Sequence, residues 1–282
     1  MTPSTNSDKS RALVFSLVAL ALSGLATAGR LFSLLFFYDR IGYYQSGAFL
    51  PIASNTLYAA SVVFFGVAAI FLIKPSKVIA TPTGSTRYVS LVPALALAVY
   101  VVSSLGRIVT PEPDTISTIS IILAVIGAVF FASLAFCRQP SVITVLTGIG
   151  AIFWLAIAWL RSYRDFTIPM NSPDKLFFHL GCLGATLFIF SEIRAMYGIP
   201  RPRFYYFSIY TAILTLAVSS IPSLIVNACN TFASYSLQFE DIFFLSLFFY
   251  AVVRLLTIVS GDTDEAVSQD KNEESTEEKP VE

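Results

Sequence analysis

Eight long apolar runs divide the chain, and nothing else in it constrains the fold as strongly. They fall near residues 12–38, 48–73, 87–109, 116–136, 142–160, 176–197, 204–226 and 239–259. Each holds about 19 or more mostly apolar residues, enough for a helix to cross the hydrocarbon of a bilayer. The runs are continuous rather than alternating, so they read as helices; barrel strands need only about 10 residues with a period of two. With 55% hydrophobic and 13% charged residues and a mean hydropathy of +0.72, a soluble globular domain is excluded. The predicted class is all-α integral membrane, a polytopic bundle of eight transmembrane helices.

The first run admits two readings. Lys9, Arg11, the apolar stretch 12–22 and the triplet Ala26-Thr27-Ala28 have the form of a secretory signal with its cleavage site, which would leave seven helices. The greasy sequence resumes after Arg30 as LFSLLFFY, and a retained helix of about 25 residues spans with some tilt, which is the expectation. The division is then a polar N-terminus (1–11), a bundle (12–259) and an acidic tail (260–282). Of 18 basic and 18 acidic residues, the tail takes two lysines and nine acids, leaving the body sixteen and nine. Too polar to bury a core, the tail is expected to be disordered.

Short-loop lysines and arginines orient the bundle. Lys9, Arg11, Lys74, Lys77, Arg87, Arg138, Arg201 and Arg203 fall on one side, against Arg40, Arg107, Arg161, Arg164 and Lys175 on the other. The richer side is expected to be cytoplasmic, and with it both termini, in a cell membrane of the bacterial cytoplasmic kind.

An offset of 116 lays Arg87-Tyr88 on Arg203-Phe204, Val102-Ser103-Ser104-Leu105 on Val218-Ser219-Ser220-Ile221, and Arg138 on Arg254. An offset of 125 lays Pro75 on Pro200 and Tyr38-Asp39-Arg40 on Tyr163-Arg164-Asp165. Two parallel four-helix units, 12–138 and 142–259, would give these matches, related by an axis along the membrane normal. Apolar segments drawn from few residue types also match by chance.

Charges inside spans are costly and are functional candidates by default. Glu192 and Arg254 both lie near the cytoplasmic ends of their helices, where they can pair. Arg30 lies in the outer half, within reach of Glu240 or Asp241; for each arginine the competing reading is a snorkelling side chain with a hydrated head. Asp39, Arg40, Arg161, Arg164, Asp165, Asn171 and His179, with Tyr38, Tyr43, Tyr44, Trp154, Trp159 and Tyr163, form either an interfacial aromatic belt or a polar mouth for a small ligand. Gly148, Gly150, Gly181 and Gly184 mark close helix approaches, and Pro93 and Pro222 mark kinks.

The exclusions are firm. No Walker loop, H-E-x-x-H or G-x-S-x-G occurs, and three cysteines without C-x-x-C spacing call for neither a disulfide framework nor zinc. Arg194 and Arg201-Pro202 approximate one motif of the membrane lipid phosphatases, but that family needs two further histidine motifs, and His179 is the single histidine, upstream of the match. No catalytic set, cofactor, metal site or nucleic-acid surface is expected. The expected partners are the lipid bilayer, a small-molecule or lipid ligand, and a cytoplasmic protein. The function expected is a binding or sensing module, with a small secondary transporter as the alternative.

Overall fold

The computed structural model describes residues 6–39, 43–73, 84–105, 115–136, 141–166, 169, 172–197, 199, 201–229 and 239–277, without the side chains of 6–12, 72, 84–86 and 260–277. Pro75, Pro200 and Arg138 of the repeat, Asn171, and Arg40, Lys74, Lys77 and Arg107 of the charge count lie outside these residues. The described chain is an all-α polytopic bundle. Its helices are α1 (Asn6–Phe37), α2 (Phe49–Leu72), α3 (Leu91–Ser104), α4 (Thr115–Phe136), α5 (Val142–Arg164), α6 (Pro173–Met196), α7 (Pro202–Ala228) and α8 (Phe239–Glu277). Each contains a segment long and apolar enough to cross a membrane, that of α3 starting at Arg87 in the 3-10 turn Gly84–Ser90.

Burial sets the order of the bundle. In α7, 83% of the apolar window is buried, against 33% in α2. α7 is enclosed by α1, α2, α6 and α8; α3, α4, α5 and α6 follow one another side by side, and α8 closes the circuit against α3. An aromatic core fills it: Trp154 stands edge-on to Phe243 at 4.9 Å and to Tyr100 at 5.3 Å, and Phe131 meets both Phe243 and Tyr250.

Glycine brings the helices together where the sequence marks them. A Cβ on Gly184 would stand 1.9 Å from Thr215 Oγ1, and one on Gly181 3.0 Å from Ser219 Oγ, so α6 and α7 meet backbone to side chain. Gly148 admits Ile193 and Phe130, and Gly150 admits Ile126. The hydroxyls of α7 are tolerated in this seam because they return to their own helix: Ser208 donates to Phe204 O, Thr215 to Ala212 O, Ser220 to Leu216 O and Ser223 to Ser219 O.

Among the described residues α7 packs on α1, α2, α6 and α8, and α3 on α4 and α8. One expectation is corrected. Pro93 is the third residue of α3, where a missing N–H has no intrahelical partner to lose, so it starts the helix rather than kinking it. α8 runs as far as Glu277, since extending a packed helix needs no new nucleus and Ala, Glu, Gln and Lys favour helix. α1 packs along α7, with Phe15 edge-on to Tyr210 at 5.0 Å and Ser16 hydrogen-bonded to the Tyr210 hydroxyl.

Candidate functional site

Buried charge gathers at both ends of the α6–α7 seam. At the end bearing the α6–α7 turn, Glu192 is 1% exposed and Arg254 3%. The Arg254 Nε donates to Glu192 Oε1 at 3.1 Å and reaches Oε2 at 3.4 Å. The Tyr250 hydroxyl donates to Oε2 at 3.1 Å, and the Tyr205 hydroxyl donates to Oε1. A carboxylate in hydrocarbon is tolerable only with such company: one charge opposite and two phenols cover its lone pairs. The pairing of Glu192 with Arg254 is the one the sequence allows. Its tyrosines are an addition, since Tyr205 lies one turn into α7 and Tyr250 one turn before Arg254, positions that reveal themselves only once α6, α7 and α8 are neighbours.

At the other end, α7 carries Pro222, which has no N–H to give Val218 O, its partner four residues back. Arg30 of α1 supplies the missing donor. Its Nη1 donates to Val218 O and, at 3.1 Å, to Ser219 O; its Nη2 pairs with Asp174 Oδ1 at 3.1 Å. The guanidinium stacks over Phe177 at 4.4 Å from the ring centre. Asp174 accepts a further bond from the Tyr38 hydroxyl, and burial followed by the charge of Asp174 holds that phenol well above its ordinary pKa, so that it remains a donor. Burial likewise raises the Tyr44 phenol. Arg30 is 1% exposed, which corrects snorkelling for it as burial does for Arg254; its ion pair is with Asp174 and not with Glu240 or Asp241. Ser172 caps α6, accepting from Lys175 N, and Pro173 opens the helix, so Asp174 lies in the first turn rather than in the loop. The Ser-Pro-Asp sequence is the signal that places it there.

A second group stands at this same end. Arg161 Nη1 donates to the Tyr100 hydroxyl at 2.7 Å and lies 3.5 Å from Glu240 Oε1, and Tyr100 in turn bonds Ser120 at 2.8 Å. Four helices, α3, α4, α5 and α8, thus meet around one arginine. Beside Glu240, Asp241 is 7% exposed, and among the described residues it has neither a hydrogen bond nor an ion pair. The charges that act on it through space are Arg30, Glu240 and Asp174, and the buried Cys182 thiol of α6 senses both Glu240 and Asp241.

The remaining candidates do not converge. Asp39 closes a local turn, accepting from Tyr43 N at 2.7 Å. Arg164 is exposed at the end of α5, and Asp165 accepts a bond from Lys175 Nζ through its main-chain carbonyl. His179 stacks on Trp159 at 5.5 Å, and Trp159 is 43% exposed, the position of an interfacial belt. No protein-family model, curated protein or solved structure matches this chain.

Proposed function

We propose that the protein is a membrane-embedded module that binds a small molecule with an ammonium head and an apolar body at the α1–α2 end of the bundle, and that it serves to sense that molecule. Asp241 carries the reading. Among the described residues every other buried charge at this end is engaged: Arg30 by Asp174 and two carbonyls, Glu240 by the half-buried Arg161, Lys175 by a carbonyl. A carboxylate left without a donor in an apolar site is costly, and a cationic ligand relieves that cost. Phe244 and Phe178, packed at 5.5 Å, and the Trp154–Phe243 pair lie within a turn or two of Asp241 and Glu240 and give an apolar wall for the body of the ligand.

The positive-inside excess supports placing this end outside and both termini in the cytoplasm of a cell membrane. The sensing reading assigns α7 as the link to the Glu192 end. The transporter reading has less support, because the α6–α7 seam leaves no room for a Cβ on Gly184 and the halves pack differently.

A thermal-shift titration of the purified full chain with organic ammonium compounds of graded apolar size tests the reading. Saturable stabilisation of wild type, lost in Asp241→Asn and absent with uncharged isosteres, is the expected result. No stabilising compound, or equal response from Asp241→Asn, overturns it.

A further inference from the structure

Only one edge of the Arg254 guanidinium is used. Its Nε is spent on Glu192, whereas Nη1 is enclosed without a hydrogen-bond partner, and among the described residues neither Nη group donates to a protein acceptor. The two Nη groups form the planar fork that receives two oxygens of one oxyanion side by side. Here the carboxylate sits on Nε, and the fork has no acceptor among the described residues.

The surroundings share the same imbalance. Arg194, two residues along α6 from Glu192, and Arg87, in the 3-10 turn that packs on α8, each have a buried Nε without an acceptor. Arg203 is already occupied, its Nε donating to Ile73 O at the end of α2. Among the described side chains of this end the single acid is Glu192, and it is saturated by Tyr205, Tyr250 and Arg254. Among the described residues donors therefore outnumber acceptors around Arg254, which leaves its fork available to an acceptor from outside the chain. Arg254 lies five residues before the end of the α8 span at Val259, roughly 7 Å at 1.5 Å per residue, a distance that a long arginine side chain can bridge toward the headgroups.

We infer that Arg254 is a phosphate-binding residue, whose Nη fork takes two oxygens of a phosphate group while its Nε stays on Glu192. The phosphate comes from a lipid headgroup or from free phosphate; either meets the same fork. This site is independent of the ammonium site at Asp241, so failure of one leaves the other standing. Glu192 has two effects on it: it fixes the guanidinium plane, and its charge opposes the incoming anion. Lysine in place of Arg254 keeps the charge and loses the fork, and glutamine in place of Glu192 keeps the shape and loses the opposing charge.

The test titrates delipidated full-length protein in a nonionic detergent with inorganic phosphate, and follows in parallel the retention of phosphatidylglycerol by native mass spectrometry after extraction from phosphatidylcholine vesicles carrying a minor fraction of it. Wild type is expected to bind one of the two probes saturably, Arg254→Lys about tenfold more weakly, and Glu192→Gln severalfold more tightly. Binding of inorganic phosphate identifies the free anion, and selective retention of phosphatidylglycerol alone identifies the headgroup; both support the site. Binding of neither probe by wild type overturns it, as does Arg254→Lys binding like wild type. Should Arg254→Lys fail to fold, Glu192→Gln decides, since unchanged or weaker binding there contradicts the site. If neither variant folds, the wild-type titration decides by itself.

Discussion

Glu192 holds three donors in a place with no water, so its removal is felt by each of them. Neutralising it as Glu192→Gln leaves Arg254 charged and unpaired, at a cost of about 3–5 kcal/mol. Replacing both at once, with Arg254→Met, removes the stranded charge, and the double variant is expected to be more stable than Glu192→Gln alone. Denaturant unfolding in detergent measures the cycle; strict additivity of the two changes would count against the pair. At this scale the sequence was informative but incomplete. A glutamate and an arginine inside spans advertise their cost, so Glu192, Arg254 and Arg30 stand out unaided. Tyrosine in an apolar run advertises nothing, because thirteen tyrosines suit an interfacial belt equally well, and Tyr205 and Tyr250 become donors to Glu192 only through the packing.

At the scale of the element, α7 is a helix broken by its own proline and completed by another helix. Losing the guanidinium in Arg30→Met strands Val218 O and leaves Asp174 without its countercharge, while Ser219 O keeps the Ser223 hydroxyl, and a loss of about 2–5 kcal/mol is expected. Pro222→Ala restores an N–H opposite Val218 O. In the Arg30→Met background it should therefore recover about 1 kcal/mol, the net worth of one hydrogen bond, while the Asp174 deficit remains. A thermal melt of the two variants side by side reads this directly, and Pro222→Ala making Arg30→Met worse would refute the staple. The seam beside it gives a second check. Gly184→Ala drives a Cβ into Thr215, so it should destabilise by about 1–3 kcal/mol, with part of the loss recovered by Thr215→Ala. Pro222 and Arg30 were both visible as anomalies, yet their connection depends on α1 lying along α7, a long-range fact that no local pattern encodes. The glycines were legible for the opposite reason: a close approach needs a missing side chain, whichever helix arrives.

For the whole molecule, hydropathy carried the helix count and nearly all the span limits, because each run must match one bilayer thickness. It carried nothing about neighbours, since lipid-facing and helix-facing positions are equally apolar. Orientation is open to a direct check. Cys229, exposed at the end of α7, should react with a membrane-impermeant thiol reagent in intact cells, whereas Ile199→Cys at the α6–α7 turn, placed in a background with Cys137→Ser and Cys229→Ser, should react only after permeabilisation. The reverse pattern would invert the topology and place the Asp241 end in the cytoplasm.

Asp241 has no donor among the described residues, and the functional reading turns on a ligand supplying one. A cryo-electron microscopy map of the protein purified with the most stabilising ammonium compound measures this directly. Density for the compound is expected with its nitrogen within hydrogen-bond distance of the Asp241 carboxylate and its body against Phe244 and Phe178. A map in which Asp241 pairs with a residue of the chain itself, with the compound elsewhere or absent, would contradict it.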